Sequence, residues 1–298
     1  MYKNFDEVIA AAKQRGPQTI SVAVAQDLDV LLALKAAEDQ GLVKPLLVGE
    51  AAAIKPLAEK AGLAGARVVD EADQDEAARK AAELVRTGEA QVLMKGLINS
   101  SNFLKAVLDK ERGLRKSKLL CHLGVFDTPG VGRLMYMSDG GMNVAPDLEA
   151  KKEILINVLA TLKNMGLDKP NVAVMSHNEQ VNAKMPSTTD AAALVEMGVK
   201  GELPPCVIDG PRALDVAASA EAAHHKKIDS KISGAVDVYL MPNIESGNMV
   251  GKALIHYAGA KMAGLVLGAS HPVVLASRSD TPEGKLCSIA LACLSAPR

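Results

Sequence analysis

Short runs of β-branched and aliphatic residues alternate along this chain with longer segments whose apolar positions recur every three to four residues. Residues 19–25 (TISVAVA) read as a buried strand, followed by a helix over 27–41. Residues 44–49 (KPLLVG), 66–71 (ARVVDE) and 91–96 (QVLMKG) are further strands. They are separated by helices over 51–62 and 73–88 and followed by one over 100–114. The N-terminal stretch 1–16 is an amphipathic helix carrying acidic residues, unlike a signal or transit peptide. Strand and helix alternating in this way predict βαβ units, hence a largely parallel sheet covered by helices.

The rhythm breaks at 118–143, where two extended runs, 118–127 and 134–143, flank the turn-rich TPGVGR and predict a hairpin-like insertion. Alternation then resumes: a helix over 147–166, a strand over 171–177, a helix over 188–198, a strand over 206–210 and an Ala-rich helix over 214–228. A strand over 236–243 leads to a helix from 246 to 259, two strands follow at 261–268 and 271–277, and a helix over 281–296 closes the chain. The expected architecture is α/β with two domains. Residues 1–139 plus a returning C-terminal segment 280–298 form one, residues 140–279 form the other, and an active-site cleft lies between them. No Pro/Gly/Ser-rich tether separates them.

Composition narrows the function classes. Hydrophobic residues make up 48% of the 298 and the net charge is -1, so a sizeable core is affordable by size and neither disorder nor a phosphate-backbone binder is expected. With no Trp, 4 Tyr and 3 Phe, stacking platforms for nucleobases are scarce. No apolar run approaches a membrane span. Cys121, Cys206, Cys287 and Cys293 form no CxxC pair and lie in or beside apolar runs, which points to reduced thiols and a cytoplasmic setting.

Ligands of open parallel sheets bind beyond the carboxyl ends of strands, so the strand-to-helix junctions are where chemistry is sought. In 274–285 (VLASRSDTPEGK) a buried strand gives way to Ser277, Arg278 and Asp280, and Thr281 caps a helix opened by Pro282. A guanidinium and hydroxyls before a helix N-terminus suit an anion, whereas a plain capped turn with Arg278 on a surface carboxylate is the structural reading. In 237–252, Asn243, Ser246, Gly247 and Asn248 follow a strand and Lys252 lies one turn into the helix. Gly247 permits close backbone approach. This is not a nucleotide P-loop, because the glycine spacing is wrong and Ala253 replaces the magnesium-binding hydroxyl. Lys95 and Gly96 leave another buried strand, and Asp139 and Asn143 flank the glycine pair of SDGGMN at the expected domain junction.

Other features are better explained without chemistry. His224 and His225 sit beside Lys226 and Lys227 on a polar helix end, and the methionines are scattered as core residues are. No GxSxG elbow occurs. No metal site is expected.

Taken together, 94–115 (MKGLINSSNFLKAVLDKERGLR), SDGGMNVAPDLEAKKEIL, PNIESGNMVGKAL and PVVLASRSDTPEGKLCSIALA resemble the phosphate acetyl/butyryltransferase family, its butyryltransferase branch most closely. The resemblance covers nearly the whole chain; PNxxxGNxxxK with a later Ser-Arg before the last helix is its specific part. It implies a two-domain isocitrate/isopropylmalate dehydrogenase-like fold and reversible transfer of a short-chain acyl group, butyryl foremost, between coenzyme A and inorganic phosphate. Acyl-CoA is then a substrate, with no tightly bound cofactor, and a homodimer or larger homo-oligomer is expected. By the same resemblance Arg278 binds phosphate and Ser277 assists the transition state. The family's base lies six residues past the arginine, where this chain has Gly284, so Asp280 is the preferred substitute and Glu283 the other nearby carboxylate.

These residues fit the chemistry independently. Thiolate attack on an acyl phosphate needs a base for a thiol of pKa about 8.5, a cation for the leaving phosphate and donors for the oxyanion. No enzyme nucleophile is required, so direct transfer within a ternary complex is expected. Acetyl and branched acyl groups remain alternatives, because a methylene is worth only about 1–3 kcal/mol of discrimination. A decarboxylating NAD- and metal-dependent dehydrogenase of the same fold is the competing class, with Asp209 and Asp215 as its available carboxylates. A non-enzymatic binding protein is disfavoured by polar residues at so many strand ends.

Overall fold

A computed structural model describes residues 2–275 and 281–297. In chain order the first elements are α1 (Phe5–Arg15), β1 (Gln18–Ala23), α2 (Leu28–Asp39), β2 (Val43–Gly49), α3 (Ala51–Ala61), β3 (Arg67–Asp70), α4 (Gln74–Arg86), β4 (Val92–Lys95) and α5 (Ser100–Val107). Next come β5 (Cys121–Asp127), β6 (Leu134–Ser138), α6 (Leu148–Asn164), β7 (Asn171–Met175), α7 (Pro186–Val199), β8 (Val207–Arg212), α8 (Leu214–Ala218), α9 (Ala220–His225), β9 (Val238–Leu240) and α10 (Ile244–Ala258). The chain ends with β10 (Lys261–Leu267), β11 (Val273–Val274) and α11 (Pro282–Ser295).

These elements form two compact units, one of Asn4–Ser117 with Ala263–Arg298, the other of Lys118–Met262 with Met1–Lys3. In the first the strand order is β3-β2-β1-β4-β11-β10. Its pairs are parallel except β10 with β11, which meet antiparallel at Val266↔Val273. In the second the order is β5-β6-β9-β7-β8. Here β5 and β6 form the expected antiparallel pair, from Gly124↔Met137 to Asp127↔Leu134, and the other pairings are parallel.

The units change over at residues 117/118 and within β10, whereas the sequence placed its boundaries at 139/140 and 279/280. Pairing explains the shift. β6 is laddered to β9 through Tyr136↔Val238, so the whole hairpin belongs with the strands that follow it. α11 belongs to the unit of the N-terminal strands: it is buried along nearly its whole length and packs on α1 and α2. The Arg15 guanidinium donates to the Ala296 carbonyl at 2.8 Å.

Side-chain caps set the helix starts. Asn4, Asp27, Asp73, Asn99, Asp147, Asn243 and Thr281 each accept a first-turn N–H. The helix expected over 214–228 is instead broken at Ser219, which takes an extended conformation and caps α9 through the Ala222 N–H. The helix expected to reach 114 stops at Val107, where the Asp109 carboxylate captures the N–H groups of Glu111 and Arg112 in a turn. No helix among the described residues is long and apolar enough to cross a membrane.

One buried charge pair braces the second unit. Lys151 on α6, its side chain 6% exposed, donates to Asp190 on α7 at 2.6 Å. Removing only the anion strands a cation that is 6% exposed, whereas removing the cation leaves a carboxylate 18% exposed and nearer to water, so the first loss is the costlier. Asp190→Ala is expected to lower stability by about 3 kcal/mol and Lys151→Met by clearly less, as read by urea denaturation.

Candidate active site

The carboxyl end of β4 carries Lys95 and Gly96. Lys95 is 8% exposed and its ammonium donates to the Gly96 carbonyl at 3.2 Å. Gly96 passes so close to β1 that a Cβ there would stand 2.2 Å from the Val24 carbonyl oxygen. The Gly96 and Leu97 N–H groups donate to the Ala23 and Val24 carbonyls at 2.8 and 2.7 Å. Val24 itself is left-handed, φ 56, a conformation that a β-branched residue adopts only when its surroundings enforce it. Nothing in TISVAVAQD marks that strain, so Val24 is a residue that sequence reasoning passed over. Asn99 caps α5 through Ser101.

A second cluster joins β5, the loop after β6 and the start of α10, all within the second unit. Asp139 is 2% exposed. Its carboxylate accepts from the N–H groups of Gly141 (2.7 Å), Met142 (2.9 Å), Asn143 (3.3 Å) and His122 (3.1 Å), and from the Asn143 side-chain amide at 2.6 Å. The Asn143 amide also donates to the Leu120 carbonyl, and the Ser138 hydroxyl to that of His122. Gly141 is in turn tight against the His122 ring, 3.0 Å from where a Cβ would stand.

The same loop meets α10 with backbone against backbone at Gly140 and Gly247. A Cβ on Gly140 would lie 2.8 Å from the Gly247 carbonyl carbon, and one on Gly247 would lie 2.7 Å from the Asp139 carbonyl oxygen. Bonds from Met241 N–H to Ser138 O, from Ile244 N–H to Val144 O and from the Asn248 side-chain amide to Gly140 O hold the contact. Asn243 is the helix cap, accepting from the Ser246 N–H at 2.9 Å and its hydroxyl at 2.7 Å. The first turn of α10 therefore spends several of its N–H groups on its own chain. Asn248 and Lys252 are exposed, and Lys252 pairs with no carboxylate among the described residues. On its inner side Gly251 sits on Phe126 and Met137, part of a core that also holds Met175 and Met241.

At α11, Thr281 accepts from the Gly284 N–H at 3.1 Å, Pro282 opens the helix and Glu283 is exposed. Ser277, Arg278 and Asp280 lie outside the described residues. The sequence-derived positions thus fall into separate groups. Asp139, Asn143, Asn243, Ser246, Gly247 and Asn248 are brought into one cluster, with Lys252 one turn further along α10. Lys95 and Gly96 belong to the other unit, as does Glu283.

The carboxylates available to a dehydrogenase are committed elsewhere. Asp209 accepts from the Arg212 guanidinium at 2.6 and 3.0 Å and from the Ser230 hydroxyl at 2.6 Å, and Asp215 is paired with Lys226. Among the described residues no group of three or more His, Cys, Asp or Glu could hold a metal ion. The cysteines are free thiols. Burial pushes the thiols of Cys121 and Cys293 up to about 12, far from the depressed values of nucleophilic cysteines.

The family model described as phosphate acetyl/butaryl transferase matches residues 58–293. The phosphate butyryltransferase of Clostridium acetobutylicum is 43% identical over 298 residues, 99% of this chain and 99% of that protein. The phosphate acetyltransferase of Rhizobium meliloti is 38% identical, over 99% of this chain and 94% of its own length. Among solved structures, that of a branched-chain phosphotransacylase from Enterococcus faecalis V583 superposes with a TM-score of 0.81 at 29% identity, covering 93% of this chain and 98% of that one.

Two expectations follow from the geometry. Gly247→Ala forces its methyl into the backbone at Asp139–Gly140 and is expected to cost about 1–3 kcal/mol in denaturant unfolding, while Ala253→Gly on the outer face of α10 costs about 1 kcal/mol or less. At pH 8, Cys121 and Cys293 are expected to resist dithiobis(nitrobenzoate) in the native protein and to react once it is unfolded in guanidinium. Rapid native labelling of either, located by peptide mass spectrometry, would contradict their burial.

Proposed function

The chain belongs to the phosphate acetyl/butyryltransferase family, and we propose that it moves a short-chain acyl group reversibly between coenzyme A and inorganic phosphate, with butyryl the preferred group. The observation that carries this reading is the 43% identity, end to end, to a phosphate butyryltransferase. Acetyl and branched acyl groups are the second reading, favoured by the 38% identity to a phosphate acetyltransferase and by the likeness to a branched-chain phosphotransacylase.

In the direction that makes acyl-CoA, the coenzyme A sulfur attacks the acyl phosphate carbonyl. A tetrahedral oxyanion forms, the carbon–oxygen bond to phosphate breaks, and phosphate leaves. Arg278 takes the phosphate charge through paired N–H donors, Ser277 donates to the developing oxyanion, and Asp280, or Glu283 in its place, receives the thiol proton. Asn248 and Lys252 supply the amide and cationic groups for the phosphates and amides of coenzyme A. Asn243, Ser246, Gly247 and Asn143 build the surface that presents Asn248. Burial, which pushes the Cys121 and Cys293 thiols up to about 12 and also raises that of half-buried Cys206, favours direct transfer over an acyl-cysteine route. Free thiols agree with a cytoplasmic enzyme, and a homo-oligomer is the assembly we assign, to be read by light scattering.

The purified protein is expected to release thiol from butyryl-CoA only when phosphate or arsenate is present, and to do so faster than from acetyl-CoA. Arg278→Ala is expected to lower kcat/KM by about 10²–10³. A folded wild-type protein with no phosphate-dependent thiol release would overturn the transferase reading.

A further inference from the structure

Asp139 is a carboxylate with no capacity left. Five N–H donors converge on its two oxygens, from Gly141, Met142, His122 and twice from Asn143, and its residue is 2% exposed. A carboxylate offers about four lone-pair directions, so all are occupied. It has no site open for a substrate thiol proton or a ligand N–H. What it does instead is fasten the loop after β6 to β5: the donors come from both, and Asn143 adds a bond to Leu120 on the way into β5.

The far side of that fastened loop is the backbone of Gly140, which carries two contacts to α10. One is the approach of Gly140 to Gly247, too tight for a Cβ on either. The other is the bond from the Asn248 side-chain amide to the Gly140 carbonyl at 3.2 Å. Asn248 is exposed, and one N–H of its side-chain amide is spent on this bond, which leaves the side-chain oxygen as the group that can accept from a ligand. The orientation of that acceptor is therefore set by where Gly140 stands, and Gly140 stands where Asp139 holds it.

We propose that Asp139 is the positioning residue for Asn248, fixing its side-chain oxygen to accept from an N–H or O–H of the coenzyme A moiety of the substrate. The assignment rests on the transferase reading for the identity of the ligand. The positioning itself follows from the chain of contacts from Asp139 through Gly140 to Asn248. It makes Asp139 an indirect contributor to acyl-CoA affinity, where the sequence placed it among the groups in contact with substrate.

The test is a double-mutant cycle in the phosphate-dependent thiol-release assay, with Asp139→Asn, Asn248→Ala and the double variant. The expected result is a rise of about tenfold in KM for butyryl-CoA in each single variant, a kcat changed by less than about threefold, and no further rise in the double variant. A merely structural role would lower the amount of active enzyme, hence apparent kcat, and leave KM alone. Effects on KM that multiply in the double variant, or an unchanged KM in Asp139→Asn, overturn the proposal. Should Asp139→Asn fail to fold, Asn143→Ala, which removes a donor to Asp139 and the bond to Leu120, carries the same cycle with the same criteria. A folded wild type without thiol release overturns the transferase reading instead, and with it the ligand assigned to Asn248.

Discussion

The structure around α10 depends on two stretches of backbone touching with nothing between them. Gly140 and Gly247 stand where no Cβ fits, and the contact is closed by bonds from Met241, Ile244 and Asn248 to the loop after β6. Close packing of this kind transmits position rather than absorbing it, because a displacement of a few tenths of an ångström meets hard atoms at once. The loop side of the contact is stiffened by the Asp139 carboxylate, and the helix side by the Asn243 cap. Polar residues that read along the chain as two independent ligand-binding motifs are therefore one assembly, and much of their hydrogen-bonding capacity is spent on each other.

That redistribution separates what was legible in the sequence from what was not. The α/β class, the parallel strands and the antiparallel pair at 118–143 follow from local periodicity and turn residues, which act over a few positions and leave a direct trace. The unit boundaries leave no local mark, because ladder partners such as Tyr136 and Val238 are far apart in sequence. The junction motifs were found because glycine, asparagine and serine cluster where strands end. Their division into residues that hold the scaffold and residues that face outward was invisible, since Asn243 and Asn248 look alike in sequence and only the first caps a helix. Val24 left no signal, because a left-handed φ at a valine has no residue pattern of its own.

The chemistry asks little of covalent machinery. A thioester and an acyl phosphate are both activated, so an enzyme that exchanges them needs orientation, charge stabilisation and one proton acceptor. The outward-facing side chains of α10, Lys252 and Asn248, match that demand. Cys121 and Cys293, by contrast, are sunk in the interior, where burial suppresses the thiolate. The scarcity of aromatics fits as well, since phosphate contacts and aliphatic surface then have to supply the affinity for coenzyme A.

Direct transfer of the acyl group between coenzyme A and phosphate is the central claim, and a labelled-acyl experiment tests it most directly. The protein is incubated with butyryl-CoA labelled in the acyl group together with phosphate, then denatured, and the label is followed. The account predicts label in butyryl phosphate and none on the denatured chain. Label retained on the protein, or phosphate present with no labelled butyryl phosphate formed, would contradict it.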